Sequence, residues 1–235
     1  MSGAILNRLE IDVMQANELV EASNLAAKYK LPAMVVHPDL ATEAQIIRGR
    51  ISGRYSLITP IDWPKGEIFG QTKLRGISTD ALDCEGFEIL LTGNKSIQDT
   101  RNEAKYLTEF LKTNLNETIE IRFVLGSNIR DDQNILDMCE ALLDIRTPNF
   151  IRNDTHLKLQ VGKANPDVHN ELMDKILGII KAPIKLSGNI NGVRPITSCN
   201  QASRYAVNLL QAKNIIKELQ QQPDELRELL NNQDT

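Results

Sequence analysis

Short apolar runs alternate with longer helical segments along almost all of the 235 residues, and this alternation restricts the fold more than any other feature. The runs are too apolar for strands with one wet face, which is typical of a parallel sheet covered by helices on its outside. Seven candidate strands can be identified, one fewer than a closed eight-stranded barrel needs. They span residues 8–13, 32–38, 55–62, 86–92, 119–126, 149–152 and 182–190.

The segments between these runs carry apolar residues three and four positions apart, as amphipathic helices do. The last segment, residues 198–221, is interpreted as one long helix, so an eighth strand is predicted to be missing or degenerate; the alternative is that "SRYAVNLL" is a divergent eighth strand. We therefore predict an α/β fold, a (β/α)8-type parallel barrel over residues 1–218, with a polar C-terminal tail over residues 219–235. A missing strand would expose a sheet edge, which predicts a homo-oligomer contact or an assembly partner that covers it.

The charge balance argues against two classes of partner. Lys and Arg number 27 against 31 Asp and Glu, a formal net charge of -4, and no basic patch is interleaved with aromatic residues. Neither nucleic acid nor an anionic membrane is an expected partner, because both need clustered cations. No apolar run has membrane-spanning length and no signal peptide is recognisable, so a soluble, intracellular, cytoplasmic protein is expected. The Asn- and Gln-rich, aromatic-poor composition fits a diverged viral or AT-rich-genome copy.

Cysteine and histidine placement predicts neither a metal site nor a cofactor. Cys84, Cys139 and Cys199 form no C-x-x-C pair and none lies beside a histidine, so buried reduced thiols are favoured over a disulfide framework or a zinc site. His37 precedes Pro38 at a strand end, where a structural histidine is favoured over a general base.

Four charged residues lie within or at the edge of otherwise apolar runs, namely Glu88, Arg122, Arg152 and Lys185. Each must be paired or face a polar cavity, because desolvating a lone charge costs several kcal/mol. Two interpretations follow: a buried ion network that only sets packing, or a site for an anionic sugar or phosphate. The small residues at the end of the last run, Ser187, Gly188 and Asn189, fit a backbone cradle for phosphate, and equally a plain βα turn.

Taken in order, six runs resemble the class I deoxyribose-phosphate aldolases. They read "PAMVVHPDL", "SLITPIDWPKGE", "GFEILLT", "IEIRFVLG", "NFIRND" and "IKLSGNINGVR", and the resemblance extends from about Leu9 to Lys213. It implies a (β/α)8 barrel in which a strand lysine forms a Schiff base with an aldehyde substrate. It also implies a phosphosugar as the substrate class.

The resemblance assigns roles to the four charged residues. The family's reactive lysine corresponds to Arg152 in "PNFIRND", and Lys185 corresponds to the second lysine, which lowers the pKa of the first. Glu88 corresponds to the proton-shuttling aspartate, and Arg122 corresponds to a lysine of the intervening strand. Arginine cannot form a Schiff base, because its guanidinium stays protonated. Lys158 is expected in the loop that follows, away from a strand position.

Three hypotheses follow for function. The favoured one is an aldolase-like barrel that has lost its Schiff-base lysine and serves a structural or interaction role. The alternative is an active aldolase or lyase on a phosphosugar or small aldehyde, with Lys185 as the Schiff-base lysine. A third is a non-catalytic phosphosugar-binding module.

Overall fold

The computed structural model describes residues 5–61, 84–91, 96–114, 119–125, 137, 155–161, 184–188 and 204–221. Eight parallel strands follow one another in chain order around a closed barrel, and the last strand pairs with the first. The strands are β1 (Leu9–Val13), β2 (Ala33–Val36), β3 (Ser56–Ile61), β4 (Gly86–Leu91), β5 (Glu120–Leu125), β6 (Thr155–Val161), β7 (Ile184–Gly188) and β8 (Arg204–Asn208).

The described helices lie between the strands in sequence or follow the last strand, as the apolar spacing predicts. They are α1 (Ala16–Tyr29), α2 (Ala41–Arg50), α3 (Ile97–Asn114) and α4 (Leu209–Gln221), with a short 3-10 turn over Pro38–Leu40. Within the described ranges, none of these helices has both the length and the apolar character needed to cross a bilayer.

The eighth strand is present, which corrects the expectation of one long helix over residues 198–221. Residues Arg204–Asn208 form β8, and only from Leu209 does the chain become helical. Asn208 is the last residue of β8, and its side chain caps the helix that follows, since Oδ1 accepts the N–H of Gln211 at 2.9 Å. Because β8 pairs with both β7 and β1, the predicted open edge does not exist, and no partner is needed to cover it.

The sixth strand also differs from the prediction. The run at residues 149–152, with Arg152, lies outside the described residues, and the described strand between β5 and β7 is β6, Thr155–Val161. Lys158 is therefore a strand residue, and the expectation that it lies in a loop is wrong. The predicted positions of β1 to β5 and β7 are confirmed to within a few residues.

The main hydrophobic core lies between the outer face of the barrel and the helices. Alternate strand residues such as Ile11, Phe87 and Phe123 are buried there against apolar helix residues such as Leu19 and Ile215. The other face of each strand forms the barrel interior, where β2 and β3 contribute a small apolar cluster of Ala33, Val35 and Ile58. Strands β1, β4, β5 and β8 contribute charged residues to that interior, and these form the candidate site.

An ion pair outside the barrel ties α2 to the N-terminal ends of β3 and β4. Arg48 pairs with Glu85 at 2.8 Å, and Glu85 also accepts the N–H of Leu57 at 2.8 Å. Burial raises the pKa of Glu85, but the bonds from Arg48 and Leu57 outweigh it, so the pKa lies below its usual value. Since this end of a barrel is the one that usually serves stability, we assign the pair a structural role.

Gly86 provides the first test of the packing between β3, β4 and β5. A Cβ at this position would lie 2.6 Å from Ile58 Cδ1 and 2.8 Å from the carbonyl oxygen of Glu120. We expect Gly86→Ala to lower the free energy of unfolding by about 1–3 kcal/mol, because the backbone of β5 cannot move without breaking its pairing. Chemical denaturation measures this loss.

Gly49 is the matched control, since a Cβ there meets nothing within 4 Å. It lies in α2, so Gly49→Ala is expected to stabilise the protein by about 0.5–1 kcal/mol. Equal effects of the two substitutions would contradict the close packing around Gly86.

Candidate functional site

Among the side chains that the structure describes, five charged ones from four strands meet inside the barrel, and we call them the ion cluster. Arg122 lies at its centre and donates from Nη1 to Glu10 Oε2 at 2.6 Å and to Glu88 Oε1 at 3.1 Å. Its Nη2 reaches Glu10 Oε1 at 3.2 Å and its Nε reaches Glu120 Oε1 at 2.8 Å. Arg204 Nη1 lies 3.4 Å from the same Glu10 Oε1. The cluster thus contains three carboxylates and two guanidinium groups.

The bond between Arg122 and Glu10 crosses the barrel. Arg122 belongs to β5 and Glu10 to β1, which are opposite each other in a ring of eight strands. Both side chains are fully buried, and that of Glu88 is 2% exposed. A bidentate pair of this kind combines charge with fixed geometry, so it joins the two halves of the barrel at a defined separation.

The protonation state of Arg122 follows from these contacts. Burial by itself lowers the pKa of Arg122, because a charged group loses its hydration. The carboxylates of Glu10, Glu120 and Glu88 outweigh that effect and raise the pKa above its usual value. Arg122 is therefore a permanent cation, suited to holding carboxylates in place and unsuited to proton transfer.

Two of the four charged residues singled out in the sequence, Glu88 and Arg122, are brought together in the ion cluster. Glu88 and Arg122 are Cα partners on β4 and β5 and bond directly. Lys185 lies in β7, as predicted, and Arg152 lies outside the described residues. Ser187 and Gly188 are the last two residues of β7, and Asn189 lies outside the described residues.

Strands β6 and β7 bring two lysines together in register. Lys158 is the Cα partner of Lys185, and Lys185 is in turn the Cα partner of Arg204. On the other side, Val124 of β5 is the Cα partner of Lys158. Since neighbours at one level of a parallel sheet share a face, the two lysine positions belong to the same face as Arg204.

Three members of the ion cluster were missed in the sequence: Glu10, Glu120 and Arg204. Glu10 lies within the run "RLEIDV", so the criterion that selected Glu88, a charge inside an apolar strand, would have found it. Glu120 begins β5 beside Arg122 and offered only a weaker signal. Arg204 was assigned to a helix, and no local pattern identified it as a barrel residue.

Two further predictions concern single residues. His37 Nδ1 accepts the N–H of Asp39 at 3.3 Å, which is the structural role favoured for this histidine. Cys84 is a buried thiol, as expected, whereas Cys139 and Cys199 lie outside the described residues. Among the residues that the structure describes, no group of three His, Cys, Asp or Glu side chains is arranged to hold a metal ion.

Comparison with solved structures identifies the fold. The chain is similar to a deoxyribose phosphate aldolase from Aeropyrum pernix, whose structure is described as tetrameric, with a TM-score of 0.74 and 11% identity over 94% of this chain and 93% of that one. It is also similar to a protein assigned as a deoxyribose-phosphate aldolase from Coccidioides immitis, with a TM-score of 0.71 and 12% identity over 94% of this chain and 87% of that one. A triosephosphate isomerase from Bartonella henselae is similar with a TM-score of 0.57 and 11% identity over 91% of this chain and 98% of that one.

These similarities confirm, at the level of the fold, the resemblance to deoxyribose-phosphate aldolases. The chain is a (β/α)8 barrel of the kind those aldolases adopt. No family model matches the sequence, and no curated protein matches it either. Because one barrel supports many chemistries, activity has to be argued from the residues of the site.

Proposed function

We propose that this protein is a Schiff-base aldolase of the deoxyribose-phosphate aldolase type, in which Lys158 forms the imine with the substrate aldehyde. The observation that carries the proposal is the register of Lys158 with Lys185 on neighbouring strands of an aldolase-type barrel. The non-catalytic hypothesis was favoured in the sequence because Arg152 takes the position of the reactive lysine and because the eighth strand was expected to be missing. The presence of Lys158 in β6 and of a complete β8 supports the proposal of an active enzyme.

The chemistry needs an uncharged amine on one lysine and a cation beside it. The amine nitrogen attacks the carbonyl carbon, the carbonyl oxygen leaves as water, and the resulting iminium draws electrons from the bond that breaks in retro-aldol cleavage. A second cation about one strand spacing away, ~4.8 Å between backbones, favours the uncharged form of the first. In this proposal Lys158 is the nucleophile and Lys185 is the neighbouring cation.

The remaining residues have supporting roles. Glu88 is the proposed proton shuttle, and Arg122, which is itself bonded to Glu10, holds the Glu88 carboxylate in place. Ser187, Gly188 and Asn189, at the C-terminal end of β7 and directly after it, are the proposed contacts for the substrate phosphate. This is the end of a barrel at which substrates bind. The proposed substrate class is a phosphorylated sugar or a small aldehyde.

We further propose that the protein is soluble and cytoplasmic and that it acts as a homo-oligomer. The net charge of -4 and the lack of a membrane-spanning helix in the described ranges support the first part. The tetramer described for the Aeropyrum pernix aldolase supports the second. Size-exclusion chromatography with light scattering tests the oligomer, and a monomer at micromolar concentration would contradict it.

A non-catalytic role is the second candidate, and one observation favours it. Glu88, which would have to move a proton, is 2% exposed and bonded to Arg122. A buried carboxylate held in this way can serve packing alone. In that case the barrel would be a structural or interaction protein, with Arg152 in the place of the reactive lysine.

Borohydride trapping distinguishes the candidates. The purified protein is incubated with acetaldehyde and sodium borohydride, which reduces an imine to a stable secondary amine, and the modified lysine is located by peptide mass spectrometry. We expect the adduct on Lys158, in excess over that on the surface residue Lys213, which is paired with Glu21. An adduct on Lys185 instead would support the alternative assignment, and equal labelling of Lys158 and Lys213 would support the non-catalytic role.

A further inference from the structure

Three cationic residues occupy one register level on three consecutive strands. Lys158 of β6 is the Cα partner of Lys185 of β7, which is the Cα partner of Arg204 of β8. Strand backbones in a sheet lie ~4.8 Å apart, and like charges directly opposite each other are unfavourable. We call this set the cationic row.

The contacts of Arg204 identify the face on which the cationic row lies. Its Nη1 is 3.4 Å from Oε1 of Glu10, and Glu10 is completely buried in the barrel interior. The side chain of Arg204 is itself 41% exposed. Residues at one register level of a parallel sheet share a face, so the positions of Lys158 and Lys185 belong to the interior face as well.

We propose that Arg204 is a positioning residue whose charge keeps part of the Lys158 and Lys185 amines uncharged near neutral pH. The role of Arg204 in catalysis rests on the proposed function. Its effect on the protonation of the two amines can be measured even if the protein has no aldolase activity. A cation beside an amine disfavours protonation of that amine, and here one amine would have two cations in the same row.

Other charges on the interior face act on the same amines. Carboxylates favour the charged form of an amine, and β1, β4 and β5 contribute four of them. A further cation lies on β5 and a titratable histidine on β6. The residues at these positions are Glu10, Asp12, Glu88, Glu120, Arg122 and His156. Arg122 lies among three carboxylates, which offset its charge locally. Among the residues described, Arg204 contacts the carboxylate of Glu10 at 3.4 Å, and it is the register partner of Lys185 on the adjacent strand.

The test measures each lysine separately and does not depend on aldolase activity. Trace acetylation with acetic anhydride across a pH series, read by peptide mass spectrometry, gives the pH midpoint at which each amine becomes reactive. We expect the midpoints of Lys158 and Lys185 to lie below that of Lys213 in the unmodified protein. Arg204→Met is expected to raise both midpoints by about 0.5–1 pH unit, since a nearby partly screened charge is removed.

Two matched variants separate charge from structure. Arg204→Lys keeps the charge and is expected to leave the midpoints near their original values. Glu10→Gln removes a negative charge from the same ion pair and is expected to lower the midpoints, the opposite of Arg204→Met. If Arg204 had a purely structural role, Arg204→Met and Glu10→Gln would shift the pH midpoints of the two lysines in the same direction. If Arg204→Met does not fold, Arg204→Gln carries the same expectation.

Unchanged midpoints in Arg204→Met, shifts of the same sign in Arg204→Met and Glu10→Gln, or midpoints no lower than that of Lys213 would each overturn the inference. The proposed function fails separately, if borohydride traps no adduct on Lys158. Shifted midpoints without a trapped adduct would therefore leave the role of Arg204 standing and remove the aldolase assignment.

Discussion

Arg122→Met is expected to lower the free energy of unfolding by about 3–5 kcal/mol, because it leaves three carboxylates around an apolar side chain. Glu10 and Glu88 are buried, and both bond to Arg122. Methionine matches much of the volume of arginine, so the loss reflects charge rather than a cavity. Urea denaturation at neutral pH measures it directly.

The control for this prediction is Arg50→Met. Arg50 is exposed on α2, so its removal is expected to change stability by no more than about 0.5 kcal/mol. Buried carboxylates that lose the Arg122 charge take up protons more readily, so the difference in stability between Arg122→Met and the unmodified protein should narrow as pH falls from 7 to about 5. A loss below about 1 kcal/mol, or a difference independent of pH, would show that the ion cluster contributes little to stability.

If the proposed function holds, Lys158→Arg lowers the rate of retro-aldol cleavage of deoxyribose 5-phosphate on the order of 10⁴-fold or more, since it removes the proposed nucleophile. Arginine keeps the positive charge at this register position beside Lys185, so the electrostatics of the cationic row are largely preserved. The guanidinium cannot form an imine. Acetaldehyde release, coupled to a nicotinamide-dependent dehydrogenase, measures the rate.

Lys213→Arg serves as the control, since Lys213 pairs with Glu21 on the surface. This substitution is expected to leave the rate of cleavage unchanged. Full activity in Lys158→Arg together with loss of activity in Lys185→Arg would reassign the Schiff base to Lys185. No activity in the unmodified protein, combined with no trapped adduct, would favour the structural or interaction role.

Much of the fold could be predicted from the sequence because its signals are local. Runs such as "EILL" within β4 and "IRFV" within β5 are apolar enough to indicate buried parallel strands, and helical spacing in α1 and α3 identified the elements between them. The order of the runs also pointed to an aldolase-type barrel. The same local reasoning selected Glu88 and Arg122, since a charge within an apolar strand requires a partner.

Two strands were assigned incorrectly for a physical reason. β6, "THLKLQV", and β8, "RYAVN", are short and carry polar residues, so their own sequences do not distinguish strand from loop or helix. For β8 the decision comes from backbone hydrogen bonds to β7 and β1, which close the barrel. For β6 it comes from pairing with β5 and β7, and this pairing alone brings Lys158 beside Lys185.

The sequence by itself therefore determined the class of fold, the parallel strands with strong apolar signals and the need to pair Glu88 and Arg122. Only the tertiary structure decided that the barrel closes, that Arg122 bonds Glu10 across it, and that Lys158, Lys185 and Arg204 share one level. Arg122 and Glu10 are 112 positions apart in the chain. Contacts at that separation depend on strand register and barrel closure, which no local pattern of residues encodes.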